Sequence, residues 1–98
     1  MPVKVLCMHR ICIPAEYLKH YALSVGMEIS VEIGESWLMV LAHGDNQCTK
    51  ITLQKNQLLR LPVNWVAKNR IQTGDILFLI GTSRGMLFYT KKRQGLSE

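Results

Sequence analysis

The sequence predicts a small, mainly β protein with two short helices, in which one structural unit is written twice. Residues 58–65 repeat the pattern of residues 10–17 at a distance of 48 residues, and Gly74 follows Gly26 at the same distance. In each copy an alternating apolar run stops at a proline, which ends a strand and favours the first turn of a helix. We therefore predict one domain over residues 1–93, made of intertwined repeats 1–46 and 47–93, with a frayed tail at 94–98.

The first copy begins with two strands and a helix. Residues 3–7 and 10–13 are predicted to be strands, since their apolar residues alternate. A helix should follow Pro14 and reach about residue 23, because apolar residues recur there at helical spacing. Those residues are Tyr17, Leu18, Tyr21 and Ala22. Gly26 should then supply a turn conformation that a Cβ atom would strain.

A hairpin completes the first copy. Residues 27–33 alternate between apolar and polar side chains, which predicts a half-buried strand. Met27, Ile29, Val31 and Ile33 are predicted to face the core, and Glu28 and Glu32 to face water. Residues 37–42 are almost wholly apolar, so we expect a strand with cover on both faces. Residues 43–46 form a polar joint to the second copy.

The second copy repeats this plan. Strands are predicted at residues 50–53 and 58–61, and a helix at 63–70. A closing hairpin should join residues 76–80 to residues 86–89. Unlike its counterpart in the first copy, the strand at 76–80 is apolar on both faces. This indicates a contact on the outer face, either with another subunit or with a covering loop.

Charge is unevenly distributed over the two copies. Residues 1–49 contain three lysine and arginine residues against five acidic residues, whereas residues 50–98 contain nine against two. Such asymmetry favours a polyanionic partner for the second half, with nucleic acid before membrane, although a solvated basic surface is the simpler alternative. The same alternatives apply to the three adjacent cations at 91–93, which are either solvated or form a phosphate-contacting arm.

Several functional classes lack support in the sequence. No apolar run is long enough to span a bilayer and no secretion signal is visible, so a cytoplasmic protein without a membrane partner is expected. The three cysteines are an odd number and predict reduced thiols that serve as small apolar or half-buried residues. Cys7, His9 and Cys12 lack a fourth metal ligand, and His20 with Glu16 is an ordinary surface pair. We predict no metal, no cofactor, no catalysis and no small-molecule substrate.

The order of these motifs resembles the AbrB/MazE/MraZ superfamily of swapped-hairpin DNA-binding domains. The first copy has Arg-Ile-Cys-Ile-Pro at residues 10–14, and the second has Leu-Arg-Leu-Pro at 59–62 and Thr-Gly-Asp at 73–75. Two copies in one chain most resemble the MraZ arrangement, although His9 and Gln57 stand where glycine is usual before the motif arginine. The resemblance implies an AbrB-type swapped-hairpin barrel formed by two tandem βαββ-like repeats.

The resemblance also implies a function and a set of site residues. In the superfamily, basic residues around the strand-to-helix segment lie against DNA, which implies a sequence-specific transcriptional regulator with double-stranded DNA as its partner. The motif arginine is Arg10 in the first copy and is replaced by Leu58 in the second, where Arg60 on the same strand face is the predicted substitute. The other predicted DNA-binding residues are Lys19, Lys55, Lys68 and Arg70. Arginine is expected on base edges and lysine on phosphates.

A protein-interaction module is the alternative function. Such a module would be an antitoxin or an assembly subunit that keeps the barrel without strong DNA binding. The acidic first copy, with Glu28 and Glu32 on one exposed face, suits a protein partner. Antitoxins of this superfamily wrap a toxin with a long tail, and only nine residues follow Tyr89 here. A homodimer or a higher homo-oligomer is compatible with either function.

Overall fold

The computed structural model describes residues 1–44 and 47–90 and contains eight strands, two short α-helices and one 3-10 turn within them. The elements in the first half are β1 Pro2–Lys4, β2 Arg10–Cys12, α1 Ala15–His20, β3 Glu28–Ile33 and β4 Trp37–Leu41. Those in the second half are β5 Thr49–Thr52, the 3-10 turn Lys55–Gln57, β6 Leu58–Arg60, α2 Val63–Lys68, β7 Ile76–Gly81 and β8 Gly85–Thr90. The mainly β prediction with two short helices is confirmed.

The strands form two antiparallel sheets. The larger sheet has six strands in the order β1-β7-β8-β4-β3-β5, and the smaller one is a two-stranded ribbon of β2 and β6. Four of the pairings join the two halves of the chain: β1 with β7, β5 with β3, β4 with β8, and β2 with β6. Neither half therefore completes its own sheet.

The register of these pairings has two-fold symmetry. Lys4 in the first half lies opposite Ile76 in the second. Their equivalents in the opposite halves, Thr52 and Glu28, also lie opposite each other. Two residues lie directly opposite their own equivalents, namely Ile11 opposite Leu59 and Met39 opposite Leu87. An approximate two-fold axis therefore passes through the middle of the ribbon and between β4 and β8.

The core lies between the sheet, the ribbon and the helices. It draws residues from both halves, and Ile11, Leu38, Leu59 and Phe88 are fully buried. Ile29 and Val31 face this core as predicted. The same prediction is wrong for Met27 and Ile33, which are 41% and 42% exposed. Met27 precedes β3 and Ile33 is its last residue, so both lie where the core no longer covers the strand.

The two helices end earlier than predicted and end in the same way. The N–H of Leu23 donates to the carbonyl of Leu18 at 2.8 Å, and the N–H of Ile71 donates to that of Val66 at 3.0 Å. Ala22 and Arg70, one residue before these donors, have left-handed φ values of 56° and 52°. This geometry is the Schellman motif, in which glycine is preferred. Ala22 is exposed rather than on the apolar side of α1, because the helix has already ended.

Each helix is fastened to a hairpin turn from the other half of the chain. The hydroxyl of Tyr21 donates to the carbonyl of Thr82 at 2.7 Å, beside α1. Beside α2, the side-chain amide of Asn69 donates to the carbonyl of Glu35 at 2.8 Å. Trp65 is buried in the core, at 2% exposure. These hydrogen bonds link the end of each helix to the larger sheet.

Two further predictions concern the cysteines and the membrane. Cys7, Cys12 and Cys48 are all free thiols. Cys48 is half-buried as expected, but Cys7 and Cys12 are exposed, because the turn after β1 and the outer face of the ribbon carry them. Within residues 1–44 and 47–90, no helix has the length and apolar character needed to cross a bilayer. Part of the predicted joint at 43–46 and the predicted tail at 94–98 lie outside the described residues.

The left-handed position after α1 offers a test of the repeated helix ending. Ala22→Gly should raise the free energy of unfolding by about 1 kcal/mol, since a Cβ atom strains the left-handed region. Ala67→Gly, an exposed position within α2, is the matched control and should lower it by about 0.5–1 kcal/mol. Urea unfolding of both variants measures the difference. Equal destabilisation by the two substitutions would contradict the left-handed geometry at Ala22.

Candidate nucleic-acid interface

The ribbon of β2 and β6 presents four side chains away from the core. Ile11 and Leu59 are fully buried beneath it, so their neighbours along each strand point outward. The outward pairs are Arg10 opposite Arg60 and Cys12 opposite Leu58. The ribbon therefore carries two arginines at one end and two uncharged residues at the other.

Arg10 and Arg60 are held close together by the strand register. The N–H and carbonyl of Arg10 exchange hydrogen bonds with Leu6, at 3.4 and 2.7 Å, and therefore do not bond to β6. The two arginines form a non-hydrogen-bonded antiparallel pair, the arrangement that brings opposite side chains closest. Like charges directly opposite each other destabilise a sheet, and a bound anion would relieve that repulsion.

The turn that leads into β2 has a strained backbone. Met8 and His9 have φ values of 64° and 54°, and the equivalent residues Asn56 and Gln57 both have 64°. Non-glycine residues thus occupy left-handed positions in both halves. The Nε of Arg10 donates to the carbonyl of Cys7 in this turn at 3.2 Å. Backbone strain of this kind is maintained by the surrounding structure and is often found at functional sites.

A groove of about 390 Å³ opens beside the arginine pair. Arg60, Arg70 and His9 line it, together with exposed apolar side chains at Met8 and Val63. The groove lies between the turn of the first half and the α2 region of the second half. It therefore brings Arg70 to the same end of the ribbon as Arg10 and Arg60.

The three predicted lysines lie outside the ribbon strands and do not line the groove beside the arginine pair. Lys55 is exposed in the 3-10 turn beside the other end of the ribbon, where the Cys12 thiol lies 3.6 Å from the carbonyl of Asn56. Lys19 is exposed in the last turn of α1. The ammonium of Lys68 lies 3.7 Å from the Glu35 carboxylate in the β3–β4 turn. Both partners are well exposed, so this ion pair adds little stability.

The groove residues His9 and Val63 were not among the predicted site residues. They come from different halves of the chain, and only the pairing of the two halves makes them neighbours. Within the part of the chain that the structure describes, no group of three or more histidine, cysteine or acidic residues is arranged to hold a metal. A second groove, of about 630 Å³, lies between α1 and the β7–β8 turn, lined by Glu16, Tyr17, His20 and other residues.

No family model, no curated protein and no solved structure matches this chain. The functional interpretation therefore depends on the arginine pair of the ribbon and the groove beside it.

Binding of a polyanion tests the arginine pair directly. Tripolyphosphate should raise the melting temperature of the wild type more than sodium chloride at equal ionic strength, because it relieves the repulsion between Arg10 and Arg60. In the Arg60→Ala variant, the rise in melting temperature caused by tripolyphosphate should be about half of the wild-type rise or less. Lys4→Ala, an exposed cation on the edge strand β1, is the control and should keep the gain. A full gain in Arg60→Ala would show that the anion binds elsewhere.

Proposed function

We propose that this protein is a sequence-specific DNA-binding transcriptional regulator of the AbrB-like type, in which the two halves of one chain close a swapped-hairpin barrel. The exchange of strands between the halves supports the barrel, because β1 and β5 each pair with a strand of the opposite half. A single copy of about 45 residues would bury too little apolar surface to be stable alone. The two copies thus act as one DNA-binding unit.

The pairing of Arg10 with Arg60 is the observation that carries this proposal. It places two guanidinium groups on the outer face of a narrow, two-stranded ribbon, with Arg70 beside the adjoining groove. A two-stranded antiparallel ribbon is narrow enough to enter the major groove of B-DNA. Its arginines can then form bidentate hydrogen bonds to the O6 and N7 atoms of guanine.

The predicted lysines have a different task in this mechanism. Lys19 in α1 and Lys55 in the turn before β6 are exposed, and their flexible ammonium groups can neutralise phosphates beside the DNA groove that the ribbon enters. Phosphate contacts of this kind fix the orientation of the protein on the duplex, while base contacts distinguish sequences. Lys68 contributes less, because Glu35 neutralises part of its charge.

An apolar outer face of the larger sheet supports the second candidate function, a protein-interaction module. The face runs across the central strands β7, β8 and β4, where Phe78 stacks on Tyr89 with ring centroids 5.6 Å apart and Trp37 lies opposite Tyr89. Ile76 and Ile80 on β7 are 43% and 46% exposed. Exposed apolar patches of this kind often mark protein contacts. A protein partner or a second copy of the chain on this face is compatible with DNA on the ribbon.

Salt dependence tests the DNA-binding proposal. If the predicted lysines neutralise about three phosphates while the arginines contact bases, affinity for a selected duplex should fall by about 40-fold between about 50 and 200 mM salt. Mobility-shift titrations over this salt range measure the affinity, with unrelated duplex DNA as the control. An affinity that hardly changes with salt would be incompatible with binding through these residues.

Substitutions locate the binding surface. Arg10→Ala and Arg60→Ala should each weaken specific binding by about 1–3 kcal/mol, because each removes a base contact. Arg60→Ala combined with Lys68→Ala should cost more affinity than Lys91→Ala combined with Lys92→Ala, which alters residues outside the described structure. Equal losses would shift the site to the C-terminal cations.

A further inference from the structure

The backbone around the interface has two-fold symmetry, but the charged side chains do not. The strand register repeats between the halves residue by residue. None of the six candidate cations is matched by a cation at the position 48 residues away. The equivalents of Arg10, Arg60 and Arg70 are Leu58, Cys12 and Ala22, and those of Lys19, Lys55 and Lys68 are Ala67, Cys7 and His20.

This difference makes the two ends of the ribbon chemically distinct. The first end, here called the arginine end, has Arg10, Arg60 and Arg70 around the 390 Å³ groove. The opposite end, here called the lysine end, has the uncharged pair Cys12 and Leu58 on the ribbon. Its cations are Lys55 in the adjoining turn and Lys19, which occupies the place in α1 that Ala67 occupies at the groove in α2.

The two ends can recognise different parts of a duplex. Arginine presents a planar group that matches the two acceptors of guanine, whereas lysine is a hydrated point charge that suits a phosphate. At the lysine end, the residues on the ribbon that would face base edges are a thiol and an aliphatic side chain. They cannot distinguish bases through bidentate hydrogen bonds. The lysine end can therefore hold the backbone without reading much sequence.

We propose that one chain binds a non-palindromic duplex site, in which the arginine end reads the bases of one half and the lysine end grips the phosphates of the other half. This inference rests on the proposed DNA-binding function and adds the polarity of the target. A two-fold protein backbone ordinarily predicts a palindromic target, because each half reads the same bases. Here the divergence of the side chains removes that requirement.

Selection from random duplex DNA tests the polarity. The full chain is used, and complexes are separated by mass so that only those with one chain per duplex are sequenced. The expected result is a motif whose base preferences lie on one side, without an inverted repeat inside the footprint. An inverted repeat of equal weight on both sides would overturn the inference and leave the proposed function intact. Failure to bind duplex DNA above an unrelated control would overturn both.

A gain-of-symmetry variant sharpens this test. Cys12→Arg combined with Leu58→Arg places an arginine pair at the lysine end, on outward-facing positions. The selected motif should then acquire a second, inverted half. Cys12→Lys combined with Leu58→Lys is the matched control, which should raise affinity for all sequences without a second half. A motif that stays one-sided in the arginine variant, with the variant folded, would contradict the assignment of base reading to the ribbon.

The converse variant keeps the inference testable if the gain-of-symmetry variant does not fold. Arg10→Leu combined with Arg60→Cys gives the arginine end the residues of the lysine end. Discrimination between the selected motif and unrelated DNA should fall by about 10- to 100-fold or more, as expected for lost bidentate base contacts. Binding to unrelated DNA should persist through the lysines. Unchanged discrimination would overturn the inference, because base reading would then lie elsewhere.

Discussion

The pairing of strands between the two halves of the chain is the constraint on which the rest of the structure depends. Among the described residues, β1 pairs only with β7 of the other half, and β5 pairs only with β3. The ribbon consists of one strand from each half, and its buried residues Ile11 and Leu59 meet on the two-fold axis. Separation of the halves would expose these residues together with the strand edges. The association of the copies therefore contributes to the free energy of folding, beside the β3–β4 and β7–β8 pairings within each half.

The candidate interface inherits its geometry from this association. Arg10 and Arg60 are fifty residues apart in sequence, and the ribbon places them directly opposite each other. The groove beside them needs the turn of one half and the helix of the other. The hydrogen bonds from Tyr21 and Asn69 to the opposite hairpin turns hold the helices against the same frame. A change that loosened the pairing of the halves would therefore disperse the arginines.

Periodicity predicted the repeated elements well, because a strand or helix with one buried face leaves a local pattern. The alternation of side chains along β6 also predicted that Arg60 faces outward, and the structure places it there. Local patterns could not show that Arg60 lies opposite Arg10, since nothing within either copy specifies its partner. They also failed at element ends. Met27 extends the alternation of β3 beyond the core, and Ala22 extends the helical spacing of α1 beyond its left-handed ending.

A tandem chain can do what two identical chains cannot. In a homodimer, any arginine placed at one end of the ribbon recurs at the other, so repulsion between paired arginines is incurred twice. Covalent linkage lets the halves diverge, and here the pair stands at one end while Cys12 and Leu58 stand at the other. The left-handed turns at residues 8–9 and 56–57, by contrast, are kept in both halves. Backbone geometry has stayed symmetric because the shared sheet requires it, whereas the outward side chains, which the core does not constrain, have been free to differ.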